Sequence, residues 1–103
     1  MAKYAVEITP KAQWDMDEAF DYIAFQLENP QAAYDLIDGI YSATGDLSSM
    51  PERFPVWKRG SMGPKGVRFL CVKNFNVFYY VIDKKRRRVS VTRIIYGRRN
   101  IRH

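Results

Sequence analysis

An α+β fold is predicted for this 103-residue chain, with an N-terminal strand, an α-helical hairpin and then a three-stranded antiparallel meander, the helices packing on one face of the sheet. Three observations predict it. Within GVRFLCVKNFNVFYYVIDKKRRRVSVTRIIYGRRNIR (66–102), apolar runs at 67–72, 77–82 and 89–96 are rich in Val, Ile, Phe and Tyr, residues that fit a pleated, half-buried surface. The breaks between them, 73–76 and 83–88, are too short for a crossover helix, so consecutive strands must return antiparallel as hairpins. Upstream, Thr9-Pro10 and Asn29-Pro30 each place a capping side chain before a proline, which marks two helix starts.

The opening strand is read from alternation: Tyr4, Val6 and Ile8 face one way, and Lys3, Ala5 and Glu7 the other. After Thr9-Pro10, the residues Met16, Ala19, Phe20, Ile23 and Leu27 fall on one helical face. Asp15, Asp17, Glu18 and Asp21 bring negative charge to the early turns, and the helix is expected to end near Glu28. The second helix then starts after almost no loop, so the two form a hairpin. Its apolar stripe is Ala33, Leu36, Ile37, Ile40, Tyr41 and Leu47. Gly39 is tolerated inside it at about 1 kcal/mol, Gly45 weakens its end and Pro51 stops it. Such a stripe must be buried, and packing against the sheet is favoured over its use as a protein-binding face.

From 51 to 65, three prolines and two glycines without periodicity read as an irregular connection pinned by Phe54, Val56 and Trp57. Trp57 is an anchor for this loop or, beside Lys58 and Arg59, a ring on which a base could stack. In the meander, Arg68 and Arg93 stand among apolar neighbours and need a partner or a solvated face. The strict alternation fails at Ile94-Ile95, where either a bulge or a strand covered on both faces is expected.

A hydrophobic content of 47% and aromatic content of 15% suit one domain spanning 1–103, with a single core. Cys71 is the only cysteine, so no intrachain disulfide can form. With no apolar leader or membrane-length run, a cytoplasmic protein without membrane contact is expected. The charge is divided. Residues 1–50 set two cations against nine acids, a net of −7, and residues 51–103 set fifteen cations against Glu52 and Asp83, a net of +13. Such asymmetry points to an acidic partner, either nucleic acid or protein, or to charged turns that protect sheet edges.

The chemistry on offer is narrow. His103 is the only histidine, so no Ser-His-Asp or Cys-His arrangement lies inside the fold. Zinc-ligand spacing, a phosphate loop and a dinucleotide fingerprint are all lacking, and no cofactor is expected. Arginine, lysine and tyrosine remain. They could cleave RNA without a metal, with the 2′-hydroxyl attacking its own phosphate while arginines stabilise the developing charge and a tyrosine or lysine moves a proton. Arg93, Tyr96, Arg98 and Arg99, at the end of the last strand, suit that work and suit electrostatic docking equally.

The element order, together with VTRIIYGRRNI at 91–101, resembles the RelE/ParE superfamily of bacterial type II toxins over the whole chain. Thr9-Pro10-Lys11-Ala12, the spacing from Leu47 to Pro51, Val67-Arg68 and Asn76-Val77-Phe78-Tyr79-Tyr80 add to the likeness. The resemblance implies a toxin neutralised by a cognate antitoxin, commonly acidic at its C-terminal segment and encoded beside it. RelE-like members cut messenger RNA on the ribosome, whereas ParE-like members poison DNA gyrase. Arg99 matches an arginine that the nucleases place on the scissile phosphate. Their second functional arginine is replaced by Asn76, and their terminal tyrosine has no counterpart, since Tyr96 precedes the segment. The ParE-like branch is therefore favoured, and mRNA cleavage or an inactive toxin-like binding module are the alternatives. For cleavage the candidates are Arg99, which the resemblance nominates, with Arg93 and Tyr96 from the end of the last strand. For target or antitoxin binding the candidates are Lys58, Arg59, Arg68, Lys73, Arg98, Arg99 and Arg102.

Overall fold

The computed structural model describes residues 3–58 and 66–97 and follows the predicted order. Strand β1 (Ala5–Ile8) leads into α1 (Pro10–Asp21), a π-helical turn (Tyr22–Gln26), α2 (Pro30–Ser49) and a short 3-10 turn (Pro51–Arg53); the meander is β2 (Arg68–Val72), β3 (Phe75–Asp83) and β4 (Arg88–Tyr96). The sheet order is β1-β4-β3-β2, with β1 parallel to β4 and the other pairs antiparallel. That parallel pairing is supplied by the helical hairpin, which carries the chain far enough to return in the same direction. The helices cover one face, where Ala12, Met16, Leu36, Ile40 and Leu47 meet Val77, Tyr79, Val89, Val91 and Ile94.

Both helix starts form as expected. The Thr9 hydroxyl accepts from the Ala12 N–H at 3.1 Å, and Asn29 Oδ1 accepts from the Ala32 N–H at 3.1 Å. The first helix departs from expectation at its end. The Leu27 N–H reaches back five residues to the Tyr22 carbonyl at 3.0 Å, and this wider turn rotates Leu27 off the apolar face, leaving it 55% exposed. Asp15, expected on the solvated side, is buried. It follows Ala12 by three residues and precedes Ala19 by four, so helical geometry sets it among the core residues. Tyr41, counted in the stripe of α2, is exposed, and Ala43 takes the buried place.

Gly39 has a closer reason than tolerance. A Cβ there would lie 2.8 Å from Cγ1 of Val72, a side chain with little rotamer freedom. Helix propensity alone would make Gly39→Ala more stable by about 1 kcal/mol. We expect the opposite sign, a loss of about 1 kcal/mol from the forced separation of α2 and β2, measured by urea unfolding.

The turns sharpen the meander. Lys73 and Asn74 take positive φ of 48° and 71°, a two-residue hairpin turn, so β3 begins at Phe75 rather than at residue 77. The failed alternation in β4 is a bulge, two residues earlier than Ile94. Phe78 pairs with Arg93 and Tyr79 with Val91, which leaves Thr92 as the extra residue and brings Ile94 onto the core face.

Tyr79 pins the sheet to the end of α2 by donating its hydroxyl to the Pro51 carbonyl. Burial pushes its phenol up to about 12. The fold favours the neutral phenol, so this contribution, of order 2 kcal/mol, is complete below about pH 10 and is lost as pH rises through about 12. An alkaline titration should show one tyrosine ionising only as the protein unfolds, and Tyr79→Phe should remove that late step.

Candidate functional site

The end of β4 leaves the sheet half-partnered. β1 covers β4 only as far as Val91, after which the chain turns into α1. The first helix supplies what the missing strand would have given. The Thr9 hydroxyl donates to the Thr92 carbonyl at 3.4 Å, and Asp15 Oδ2 accepts from the Ile94 N–H at 2.9 Å. Asp15 also receives two bonds from Arg93, from Nε at 2.8 Å and Nη2 at 3.2 Å. A carboxylate that is 8% exposed therefore closes the strand edge and neutralises the arginine beside it. The Asp15 hydrogen bonds hold the guanidinium more firmly protonated than usual. Among the described residues it is the most buried ion pair; the other three, Lys84–Glu52, Arg86–Asp83 and Arg88–Glu7, lie at the surface.

Around this pair opens a groove of about 850 Å³, walled by α1 and its π-turn, the start of α2, the β2–β3 turn and the end of β4. Its lining is largely apolar, with Trp14, Tyr22, Ile23, Leu27 and Leu36 on the helical side and Phe75 and Tyr96 on the sheet side. Phe75 and Tyr96 pack edge to face at 5.3 Å, and Lys11 lies 4.3 Å over the Trp14 ring. Arg93 and Lys73 supply positive charge on the sheet side of the lining, and Asp15 and Glu18 supply negative charge on the helical side. More than half of the surface of Trp14, Tyr22, Leu27 and Tyr96 is open to solvent. Contiguous exposed rings of this kind mark a binding surface more often than a solvated face.

Of the residues nominated from sequence, Arg93, Tyr96 and Lys73 come together in this groove. Arg68 stands apart, donating to the Phe54 carbonyl at 2.6 Å and fixing the connection after α2. Lys58 is exposed next to Trp57, whose ring packs edge-on against Phe69 and Phe78. Arg59, Arg98, Arg99 and Arg102 lie outside the described residues. Asn76 is buried, and its Oδ1 accepts from the Cys71 thiol across the β2–β3 pair at 3.1 Å, so this position is used structurally. Asp15 was missed from sequence, although Ala12, Asp15, Met16 and Ala19 form an i, i+3, i+4, i+7 stripe that contained the signal.

The arrangement offers hydrophobic contact, the cation of Lys73 and the outer side of the Arg93–Asp15 pair. Among the described residues nominated for catalysis, Arg93 is engaged by Asp15 and the Tyr96 ring packs edge to face with Phe75. Among the described residues no group of three or more His, Cys, Asp or Glu could hold a metal, and no helix is long and apolar enough to cross a membrane.

Residues 6–101 match a family model described as the ParE toxin of the type II toxin-antitoxin system parDE. No curated protein matches the chain significantly. Among solved structures, the chain is similar to one from the chromosomal ParDE toxin-antitoxin system of P. aeruginosa, with a TM-score of 0.71 and 20% identity over 91% of this chain and 96% of that one. A chain of the toxin-antitoxin complex RelBE2 from Mycobacterium tuberculosis aligns with a TM-score of 0.60 and 21% identity, covering 91% and 98%. At these identities the likeness is one of fold.

Proposed function

The chain belongs to the ParE toxin family of type II toxin-antitoxin systems, and from that premise we propose that it arrests growth by poisoning DNA gyrase and is held inactive by a cognate antitoxin. The observation that carries the choice of target is the bidentate Arg93–Asp15 pair. A nuclease of this fold would need Arg93 free to meet a phosphate and a tyrosine poised to move a proton. Here the guanidinium is neutralised, the tyrosine ring is packed edge-on against Phe75, and Asn76 stands buried where the resemblance puts a second arginine. A protein that acts by docking needs none of these groups free.

The groove suits the antitoxin. An amphipathic segment would lay apolar side chains against Trp14, Tyr22 and Leu27 and bring carboxylates to Lys73 and the outer edge of Arg93. Lys73→Glu should therefore weaken antitoxin binding about tenfold at low salt and much less at high salt, because the lost attraction is a screened one. Calorimetric titration at two ionic strengths measures this.

The target is tested with purified gyrase, ATP and relaxed plasmid, with and without antitoxin. Cleaved DNA accumulating with the toxin alone is the expected result. An untouched gyrase in the presence of toxin that still arrests growth would transfer the reading to ribosome-dependent mRNA cleavage, the activity for which Arg99 was nominated. In that case Arg99→Ala should abolish arrest.

A further inference from the structure

The outer side of the helical hairpin carries a second exposed surface, separate from the groove. On α2, Tyr34, Asp38 and Tyr41 recur at i, i+4 and i+7, opposite the buried stripe of Ala33, Leu36, Ile40 and Leu47 and turned away from Leu36, which lines the groove. The same ridge continues to Gly45, where an added Cβ would meet nothing within 4 Å. From α1, Phe20 packs edge-on against Tyr34 at 5.0 Å, and Asp17 and Asp21 lie exposed on the same helix. The two α2 tyrosines are 58% and 52% exposed. Among the described residues, Asp17, Asp21 and Asp38 take part in no ion pair.

We propose that this tyrosine–aspartate ridge is the surface through which the toxin grips its target, and that the target surface it meets is basic. The inference rests on the reading above that the toxin acts by binding a protein. Tyr34 is partly occupied by its edge-on contact with Phe20, whereas Tyr41 presents a half-exposed ring to solvent among acids. An arginine-rich protein surface uses both, since the rings offer their faces to guanidinium groups while the carboxylates pair with them. The charge division agrees. The helical half of the chain is the acidic half, with a net of −7, and it is unsuited to nucleic acid but suited to a basic protein surface.

The variants are Tyr41→Ala, Asp38→Asn and Asp38→Lys, all on an exposed helix surface and therefore compatible with the fold. Thermal melting and antitoxin titration serve as controls. Gyrase inhibition and growth arrest are the readouts. With melting and antitoxin affinity unchanged, Tyr41→Ala is expected to weaken gyrase inhibition by about 30-fold, the scale of an interface hot spot. Asp38→Lys should cost more than Asp38→Asn. Wild-type potency in Tyr41→Ala and Asp38→Lys overturns the proposal, and a loss confined to Tyr41→Ala overturns its basic partner. Should the ridge variants lose antitoxin binding instead, or abolish a concentration-dependent dimer while still arresting growth, the ridge belongs to the antitoxin or to a second copy and the proposal falls. If wild-type toxin leaves gyrase untouched, the gyrase reading fails by itself, and growth arrest by the same variants still decides the ridge: arrest lost supports it, arrest retained overturns it.

Discussion

Asp15→Ala is expected to destabilise the protein by about 2–3 kcal/mol, the largest effect of any single polar substitution in the groove. The carboxylate accepts bonds from Arg93 Nε, Arg93 Nη2 and the Ile94 N–H. Truncation strands a buried backbone donor on an edge that β1 does not reach, a penalty of about 1–3 kcal/mol. Arg93 loses its partner too, but its side chain is 36% exposed, so water recovers part of that loss. The backbone bond is thus the larger share. Asp15→Asn tests this division: its amide oxygen still accepts from Ile94, and it should lose only about half as much. Urea unfolding with equal slopes for the variants gives the free energies, and a double-mutant cycle with Arg93→Ala isolates the pair. A loss in Asp15→Asn equal to that in Asp15→Ala would mean that the ion pair, and not the strand edge, is what Asp15 serves.

That residue also shows where sequence stops being enough. Strand composition, the two cap-proline pairs and the short breaks were legible because each is a local signal, and the three meander strands, both helices and the helices' coverage of one sheet face follow from them. Partnership across the chain was not legible. Nothing local says that residues 5–8 lie parallel to 88–91, or that this pairing ends one strand-half too early and calls for a carboxylate from α1. Leu27 and Tyr41 were misplaced for different reasons. A π-turn breaks the 3.6-residue count before Leu27, and Tyr41 lies about 100° round the helix from Ile40, off the stripe that Ile40 and Leu47 mark correctly. At Ile94-Ile95 the disturbance was visible, but its cause at Thr92 depends on register with β3. As for the groove, its cations were nominated from sequence, while its apolar walls come from α1, α2, the β2–β3 turn and β4 meeting in space.

Trp57→Ala should cost about 3 kcal/mol, lowering the melting temperature by about 15 °C for a domain of this size. The indole stands edge-on to Phe69 at 5.0 Å and Phe78 at 4.9 Å, on the side of β3 that alternates with the core residues Val77 and Tyr79. Its backbone is held as well: the Trp57 N–H donates to Val67 at 2.8 Å, the Phe69 N–H donates to Pro55 at 3.1 Å, and Val56 bridges Arg68. These contacts close the outer edge of β2 with the connection after α2, and the Arg68 bond to the Phe54 carbonyl locks the same segment from its other side. Two roles for Trp57 follow from sequence, loop anchor or base-stacking ring, and they predict different outcomes. An anchor gives a lower melting temperature with unchanged toxicity per folded molecule below the transition. A stacking ring gives the reverse, a stable protein that no longer arrests growth. With both ring neighbours on the sheet and its flanking backbone bonded to β2, Trp57 is placed to act on the fold, and the outcome expected is the anchor's.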